Sequence, residues 1–168
     1  MQKTAFSRLL LLLVMCFTCI ATSFGQQKYS ITSYIEGHKE LAQQLMHETG
    51  VPASVILAVA IHESAYGNSR IAKHLNNHFG IKGKNNSTKI KSAYKWYSSP
   101  YDSYNDFVSL LKRRKSTQSL FSKYSNQDYR SWVNGIARSG YSMTQSWSSK
   151  VLSIINNYNL NKYDKALK

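Results

Sequence analysis

The stretch "ASVILAVAIHESAYGNSRIAKHLNNHFGIKG", residues 53–83, decides how the rest of the chain is read. It opens with Val55, Ile56, Leu57, Val59, Ala60 and Ile61, which leave no polar face on a helix. A helix that is apolar all round is a buried one, and Pro52 suits its first turn. Glu63 breaks the pattern. It follows Ile56, Val59 and Ala60 at spacings of seven, four and three, and so continues the buried stripe. It also falls in the last turn before Gly67, where the helix dipole disfavours an anion by roughly 0.3–1 kcal/mol. Burial and dipole together penalise the charged form and favour a carboxyl that holds a proton to donate, which is what a general acid does. After Glu63 no carboxylate occurs until Asp102. A helix-end glutamate could equally bend out to solvent or pair with Arg70, and spacing alone leaves both readings open.

Outward from this core, residues 33–49 place Ile35, His38, Leu41, Ala42, Leu45 and Met46 on one stripe before Gly50, the pattern of an amphipathic helix. Between 78 and 97 the periodicity changes. A Gly-Lys-Asn-Asn turn precedes an alternation of Ile90, Ser92, Tyr94 and Trp96 against Lys91, Ala93, Lys95 and Tyr97, which predicts a small antiparallel hairpin. Helices resume at Ser99, Pro100 and Asp102, a capping box with a proline start, followed by the stripe Tyr104, Phe107, Val108 and Leu111. Asp102 is thus explained as a cap, and Asp106 as part of the helix surface. Lys112 to Lys115 close that helix at the negative end of its dipole. Two more helices follow, one with Tyr129, Trp132, Val133, Ile136 and Ala137, the other capped by Thr144 with Trp147, Val151, Ile154, Ile155 and Tyr158 on its face. The expectation is one mainly α domain of the α+β kind, interrupted by a β hairpin.

The 168-residue chain begins with Lys3 and Arg8, an apolar run from Leu9 to Ile20, and small residues before Gln26. That is the form of a secretory leader, and the apolar run is short for a membrane span. We expect residues 1–25 to be a signal peptide and 26–168 a single domain, exported to the periplasm or cell exterior. Cys16 and Cys19 fall in the leader and lack the small preceding residues a lipid-modified cysteine would need, so no stable membrane anchor is expected after processing. The remaining 143 residues hold no cysteine, so a packed core must stabilise them. Losing Lys3 and Arg8 takes the formal charge from +14 to +12. Such a field attracts polyanions. For an exported chain these are anionic wall polymers or lipid, with nucleic acid the least suited partner.

Aromatic and amide side chains crowd around Glu63 in sequence: Tyr66, Asn76, Asn77, Phe79, Tyr94, Trp96, Tyr97 and Tyr101. Singly, such rings are usually core. Collectively, beside an acid, they describe a cleft for sugar rings, whose C–H faces stack on aromatics and whose hydroxyls bond to amides. A metal centre is the weaker reading. His74 and His78 are four apart and His62 is near, but "HESAY" lacks the second histidine of a zinc-protease helix and "HLNNH" lacks its glutamate. No metal and no cofactor are expected.

Residues 53–83, with "YKWYSSPYDSYNDFVSLL" and "DYRSWVNGIARSGYSMTQSWSSKVLSIINNYNL", resemble the bacterial glucosaminidase domain, glycoside hydrolase family 73, in order and over nearly all of residues 26–168. The resemblance implies a lysozyme-like fold, with a helical lobe and a small β-hairpin lobe flanking a glycan cleft. It implies an endo-beta-N-acetylglucosaminidase that acts as a monomer on peptidoglycan glycan strands. It implies Glu63 and Tyr141 as catalytic residues and Asn77, His78 and Phe79 as cleft-lining, substrate-binding residues, to which the aromatic cluster adds Tyr66 and Trp96. The chain departs from the family pattern in two places. No acidic residue stands in the hairpin region, and Thr144-Gln145 replaces the common Asp-Pro. A paired-carboxylate mechanism needs a second group at a defined distance. With one acid, three readings stay open: hydrolysis assisted by the substrate's N-acetyl group, a lytic-transglycosylase-like cleavage, or a cationic wall-binding module of little activity.

Overall fold

The structure, a computed structural model, describes residues 28–165. The expected signal peptide, with Cys16 and Cys19, lies outside the described residues. The helices are α1 (Ile31–Thr49), α2 (Ala53–Ser64), α3 (Arg70–Leu75), α4 (Pro100–Arg113), α5 (Lys115–Gln118), α6 (Leu120–Lys123), α7 (Tyr129–Arg138) and α8 (Trp147–Asn157), followed by a 3-10 helix, Leu160–Asp164. The chain is mainly helical, and among the described residues no strand forms.

Helix α2 sits at the centre because its sequence allows nothing else. Every residue from Ala53 to Ile61 is 3% exposed or less. α1, α7, α8 and the 3-10 helix pack around it. Each fully buried Val, Ile or Leu contributes roughly 1.5–3 kcal/mol through area removed from water. α1 supplies Tyr34, Ile35, Ala42, Leu45 and Met46 to this core. It starts two residues before the predicted point, at a Ser30–Ser33 capping box, and stops at Gly50, whose φ of 84° suits glycine. The predicted box at Ser99 and Asp102 also forms and starts α4.

The N-terminus of α2 is capped from a distance. Pro52 supplies no side-chain cap. Instead Ser54 N donates to Asp164 Oδ1 at 2.7 Å and Ser54 Oγ donates to Asp164 Oδ2 at 2.6 Å. Asp164 is thereby buried, at 4% exposure. It locks the 3-10 helix onto the start of the central helix.

Three expectations are corrected. The alternation over residues 90–97 forms no strand, only an isolated antiparallel bridge between Lys82 and Tyr94. Backbone pairing across the hairpin is limited to Lys95 N donating to Ile81 O, Gly83 N to Ala93 O and Trp96 N to Lys84 O, at 2.8, 3.0 and 3.1 Å, and side-chain amides add to it. Asn77 Nδ2 donates to Ile81 O and Lys95 O, and Asn85 Nδ2 donates to Ile90 O and Ser92 O. Thr144 does not cap α8. That helix begins at Trp147 after Ser146, without a side-chain cap, and Thr144 only accepts the Trp147 N–H through its carbonyl. Asp106 is no surface residue. Its carboxylate accepts from Lys95 Nζ at 2.7 Å, Tyr97 Oη at 2.8 Å and Arg113 at 2.8 Å, pinning the hairpin to α4. Burial pushes the Asp106 pKa up, and these donors outweigh it and hold it below the usual carboxylate value.

Burial raises the Asp164 carboxyl from its ordinary value to about 6, against the opposing hydrogen bonds from Ser54. A carboxyl whose folded pKa is raised binds its proton more tightly when folded. Its contribution to stability is therefore complete below the unfolded pKa of about 3.9 and fades as pH climbs through about 6. Asp164→Asn removes this dependence while keeping an acceptor for Ser54 N. Thermal melts should show the wild-type-minus-variant difference in Tm falling between pH 4 and pH 7, and a constant difference would refute the assignment.

Candidate active site

Helix α2 carries Glu63 to the edge of the core and then ends abruptly. Ala65, Tyr66 and Gly67 take φ values of 49°, 44° and 79° in succession. Left-handed backbone at two non-glycine residues stores strain of order 1 kcal/mol or more each. Ser64 holds the turn by donating to Ala60 O and accepting from Gly67 N. The chain thereby leaves the helix one residue after the acid.

Glu63 is half-buried, and it does not turn out to pair with Arg70; among the described residues no salt bridge includes it. Its Oε1 accepts from Trp147 Nε1 at 2.8 Å. Trp147 is 2% exposed, at the first turn of α8. A buried indole N–H needs an acceptor, and here it fixes the carboxylate's rotation. Oε2 is left facing Gly80, close enough to stand 3.7 Å from any Cβ placed there. Gly80 has φ of 64°.

Glu63 lines an open cavity of about 510 Å³ with Phe79, Gly80, Ile81, Lys82, Leu110, Arg114, Tyr141 and Ser142. No other carboxylate lines it. Phe79 is 2% exposed and stacks on Phe107, with ring centroids 4.3 Å apart. Tyr141 Oη donates to Phe79 O at 3.1 Å. Burial, with the Glu63 charge nearby, pushes the Tyr141 hydroxyl well above the ordinary tyrosine pKa, so it keeps its proton.

Of the residues singled out from sequence, the cavity brings together Glu63, Phe79 and Tyr141. Tyr66, Asn77, His78 and Trp96 do not line it. Tyr66 packs on the core. Asn77, 1% exposed, spends its amide on the hairpin backbone and accepts from Ile81 N at 3.1 Å. His78 lies in a buried cluster, its Nδ1 2.7 Å from Tyr34 Oη, which in turn is 2.9 Å from Tyr104 Oη. Burial, with a smaller effect from His38, lowers the His78 pKa to about 3 and keeps the ring neutral. Trp96 borders a different cavity, with His74, Asn86 and Lys89. His74 and His78 therefore border different cavities rather than a shared one.

Sequence reasoning missed Trp147, Gly80, Lys82 and Arg114 as site residues. Trp147 was legible only as a core ring, although its N–H had to find a partner. Arg114 was hidden in the basic run from Lys112 to Lys115.

Comparison with known proteins agrees with this architecture. A crystal structure titled as an N-acetylmuramoyl-L-alanine amidase from Staphylococcus aureus superposes with a TM-score of 0.71 at 23% identity, over 86% of this chain and 48% of that one. The glycoside hydrolase domain of Salmonella typhimurium FlgJ superposes with a TM-score of 0.63 at 23% identity, over 78% of this chain and 89% of that one. At such identities the likeness establishes the fold. The chain belongs to the glucosaminidase family, described as mannosyl-glycoprotein endo-beta-N-acetylglucosaminidase, which matches residues 39–160. Among curated relatives, the exo-glucosaminidase LytG of Bacillus subtilis is 27% identical over 148 residues, covering 78% of this chain and 51% of the relative. The peptidoglycan hydrolase FlgJ of Vibrio parahaemolyticus is 27% identical over 154 residues, covering 79% and 49%. The chain thus spans about half the length of the curated relatives it matches.

Gly80→Ala would force a side chain into left-handed backbone, although its Cβ would meet Glu63 Oε2 and the Tyr94 ring only at ordinary contact, 3.7 and 3.9 Å away. Backbone strain of about 1 kcal/mol should lower Tm by about 2–4 °C. An unchanged melting temperature would show that this backbone is not held as described.

Proposed function

We propose that this protein is an exported peptidoglycan hydrolase, an endo-beta-N-acetylglucosaminidase that cuts glycan strands in the Glu63 cavity. Residues 1–25 serve as its signal peptide, and the domain over residues 26–168 acts as a monomer without metal or cofactor. Family membership supports the glycan substrate. The observation that carries the mechanism is the single carboxylate of the cavity, gripped at one oxygen by Trp147 and open at the other.

Glu63 is the general acid. Because Trp147 donates to Oε1, Oε2 carries the proton toward the departing glycosidic oxygen. The neighbouring carboxylates are engaged elsewhere, Asp102 in its capping box and Asp106 with Lys95, Tyr97 and Arg113. With no carboxylate nucleophile at hand, the N-acetyl carbonyl oxygen of the sugar attacks C1 as the C1–O bond breaks, in the manner of substrate-assisted glycosidases. Water then opens the cyclic intermediate at C1 and returns a proton to Glu63, with net retention. Tyr141 has committed its own proton to Phe79 O, so its oxygen offers lone pairs to the positive charge developing at C1. Trp147, Tyr141 and Phe79 form the rigid side of the cleft. The irregular hairpin, through Ile81 and Lys82, forms the facing wall and takes the place of a small β lobe. The remaining residues expected to bind substrate, Tyr66, Asn77, His78 and Trp96, act by shaping the cleft's surroundings, with Trp96 available to a longer strand.

The single acid also suits a lytic-transglycosylase-like reaction, in which Glu63 serves as acid and base and the product ends in an anhydro sugar.

Digestion of purified peptidoglycan with product ends read by mass spectrometry tests both. Reducing N-acetylglucosamine ends are expected, and anhydro ends would replace hydrolysis by the second reaction. Glu63→Gln should slow release by about 10²–10⁴-fold, the usual worth of a general acid. Parental speed in that variant would overturn the mechanism. Trp147→Phe keeps the ring but frees Oε1, and a loss of about tenfold in kcat with little change in KM is expected from misplacing the acid.

A further inference from the structure

The basic run from Lys112 to Arg114 and Lys115 is four like charges in sequence but not in space. Lys112 and Lys115 are exposed, and Arg113 is bound to Asp106. Arg114 alone turns into the wall of the Glu63 cavity. The backbone makes it do so. At Arg114, φ of −82° and ψ of 119° interrupt the helix between α4 and α5. The joint is tied on both sides, with Arg114 N donating to Leu110 O and Arg114 O accepting from Thr117 N, Gln118 N and Thr117 Oγ1. Thr117, fully buried, also donates to Leu111 O at 2.5 Å. The half-buried Arg114 side chain has no carboxylate partner among the described residues. Its charge reaches the reaction centre, since it works against the rise in the Tyr141 pKa. On the hairpin wall of the same cavity, Lys82 is held by the bridge to Tyr94 and is likewise unpaired among the described residues.

A glycan-cleaving site needs one acid, not two free cations beside it. A neutral sugar polymer would offer them hydroxyl and carbonyl acceptors but no charge to pair, and a planar guanidinium carried on a tied backbone joint is suited to a carboxylate. We infer that Arg114, assisted by Lys82, binds a carboxylate carried by the sugar next to the scissile bond and thereby selects acidic glycan over neutral glycan. This rests on the reading of the Glu63 cavity as a glycan-cleaving site. Two groups on a peptidoglycan strand offer that chemistry, the lactyl carboxylate of a sugar without its peptide and the acids of an attached stem peptide.

The test compares kcat/KM on glycan strands stripped of stem peptides, on the same strands with their carboxylates amidated, and on peptide-bearing strands before and after amidation. Wild type should prefer the carboxylate form of at least one pair by about tenfold, and the pair that shows it identifies the source. Arg114→Gln should bring that ratio close to one, Lys82→Gln should lower it less, and Arg114→Lys should fall between, because it keeps charge without the planar fork. Should Arg114→Gln fail to fold by circular dichroism, Arg114→Lys and Lys82→Gln report the same ratio. Equal wild-type rates on both members of both pairs, or a preference that survives these substitutions, would overturn the inference while leaving glycan cleavage standing. Strands left uncut by wild type in every form would overturn the cleavage reading itself, and this inference with it.

Discussion

A helix with no polar face must be enclosed on every side, and that requirement at α2 organises the rest of the molecule. α1, α7, α8 and the 3-10 helix are the walls of this enclosure. Once they are in place, the helix can meet solvent only at its ends. One end receives Asp164. The other releases Glu63 at the floor of a cavity, two residues before the left-handed turn that begins at Ala65 carries the chain away. The acid's position therefore follows from core packing. Its orientation follows from one further contact, the Trp147 indole, which belongs to a wall helix. Packing and chemistry share the same side chains here, so the site is as rigid as the core it grows from.

The cavity's two sides are built differently. Phe79, Tyr141 and Trp147 are anchored in the aromatic core, with Phe79 against Phe107 and Tyr141 bonded to the Phe79 carbonyl. The hairpin side has only a short pairing about the Lys82–Tyr94 bridge, with three backbone hydrogen bonds. It is held by the amides of Asn77 and Asn85 and by the ion pairs of Asp106, which ties Lys95 and Tyr97 to α4. Amide and carboxylate clamps reinforce this sparse pairing in a segment too short and too polar to form a sheet of its own.

How much of this could be read in advance divides by distance along the chain. The buried helix, the amphipathic α1, the Ser99–Asp102 box and the placing of Glu63 rest on neighbours within a turn or two, and periodicity displays them. The Trp147–Glu63 contact spans 84 residues and the Ser54–Asp164 contact 110, and no local pattern encodes either. The hairpin misled for another reason. Alternation over residues 90–97 reports which side chains are half-buried, but it does not say how far the pairing extends, and here it stops at three backbone hydrogen bonds reinforced by amides such as Asn77. The family resemblance implies that His78 and Asn77 bind substrate, whereas the His78 Nδ1 is engaged by Tyr34 and the Asn77 amide by the hairpin.

The contact between Ser54 and Asp164 also bears on the order in which the domain can be assembled. The helix bearing the acid gains its N-terminal cap from the 3-10 helix and its partner indole from α8, both made more than eighty residues later. During synthesis from the N-terminus those segments appear only when nearly the whole domain has been made. Until then the acid has no seat and the cleft has no floor. Contacts between residues so far apart along the chain close slowly, so the acid's surroundings are among the last parts of the domain to be assembled.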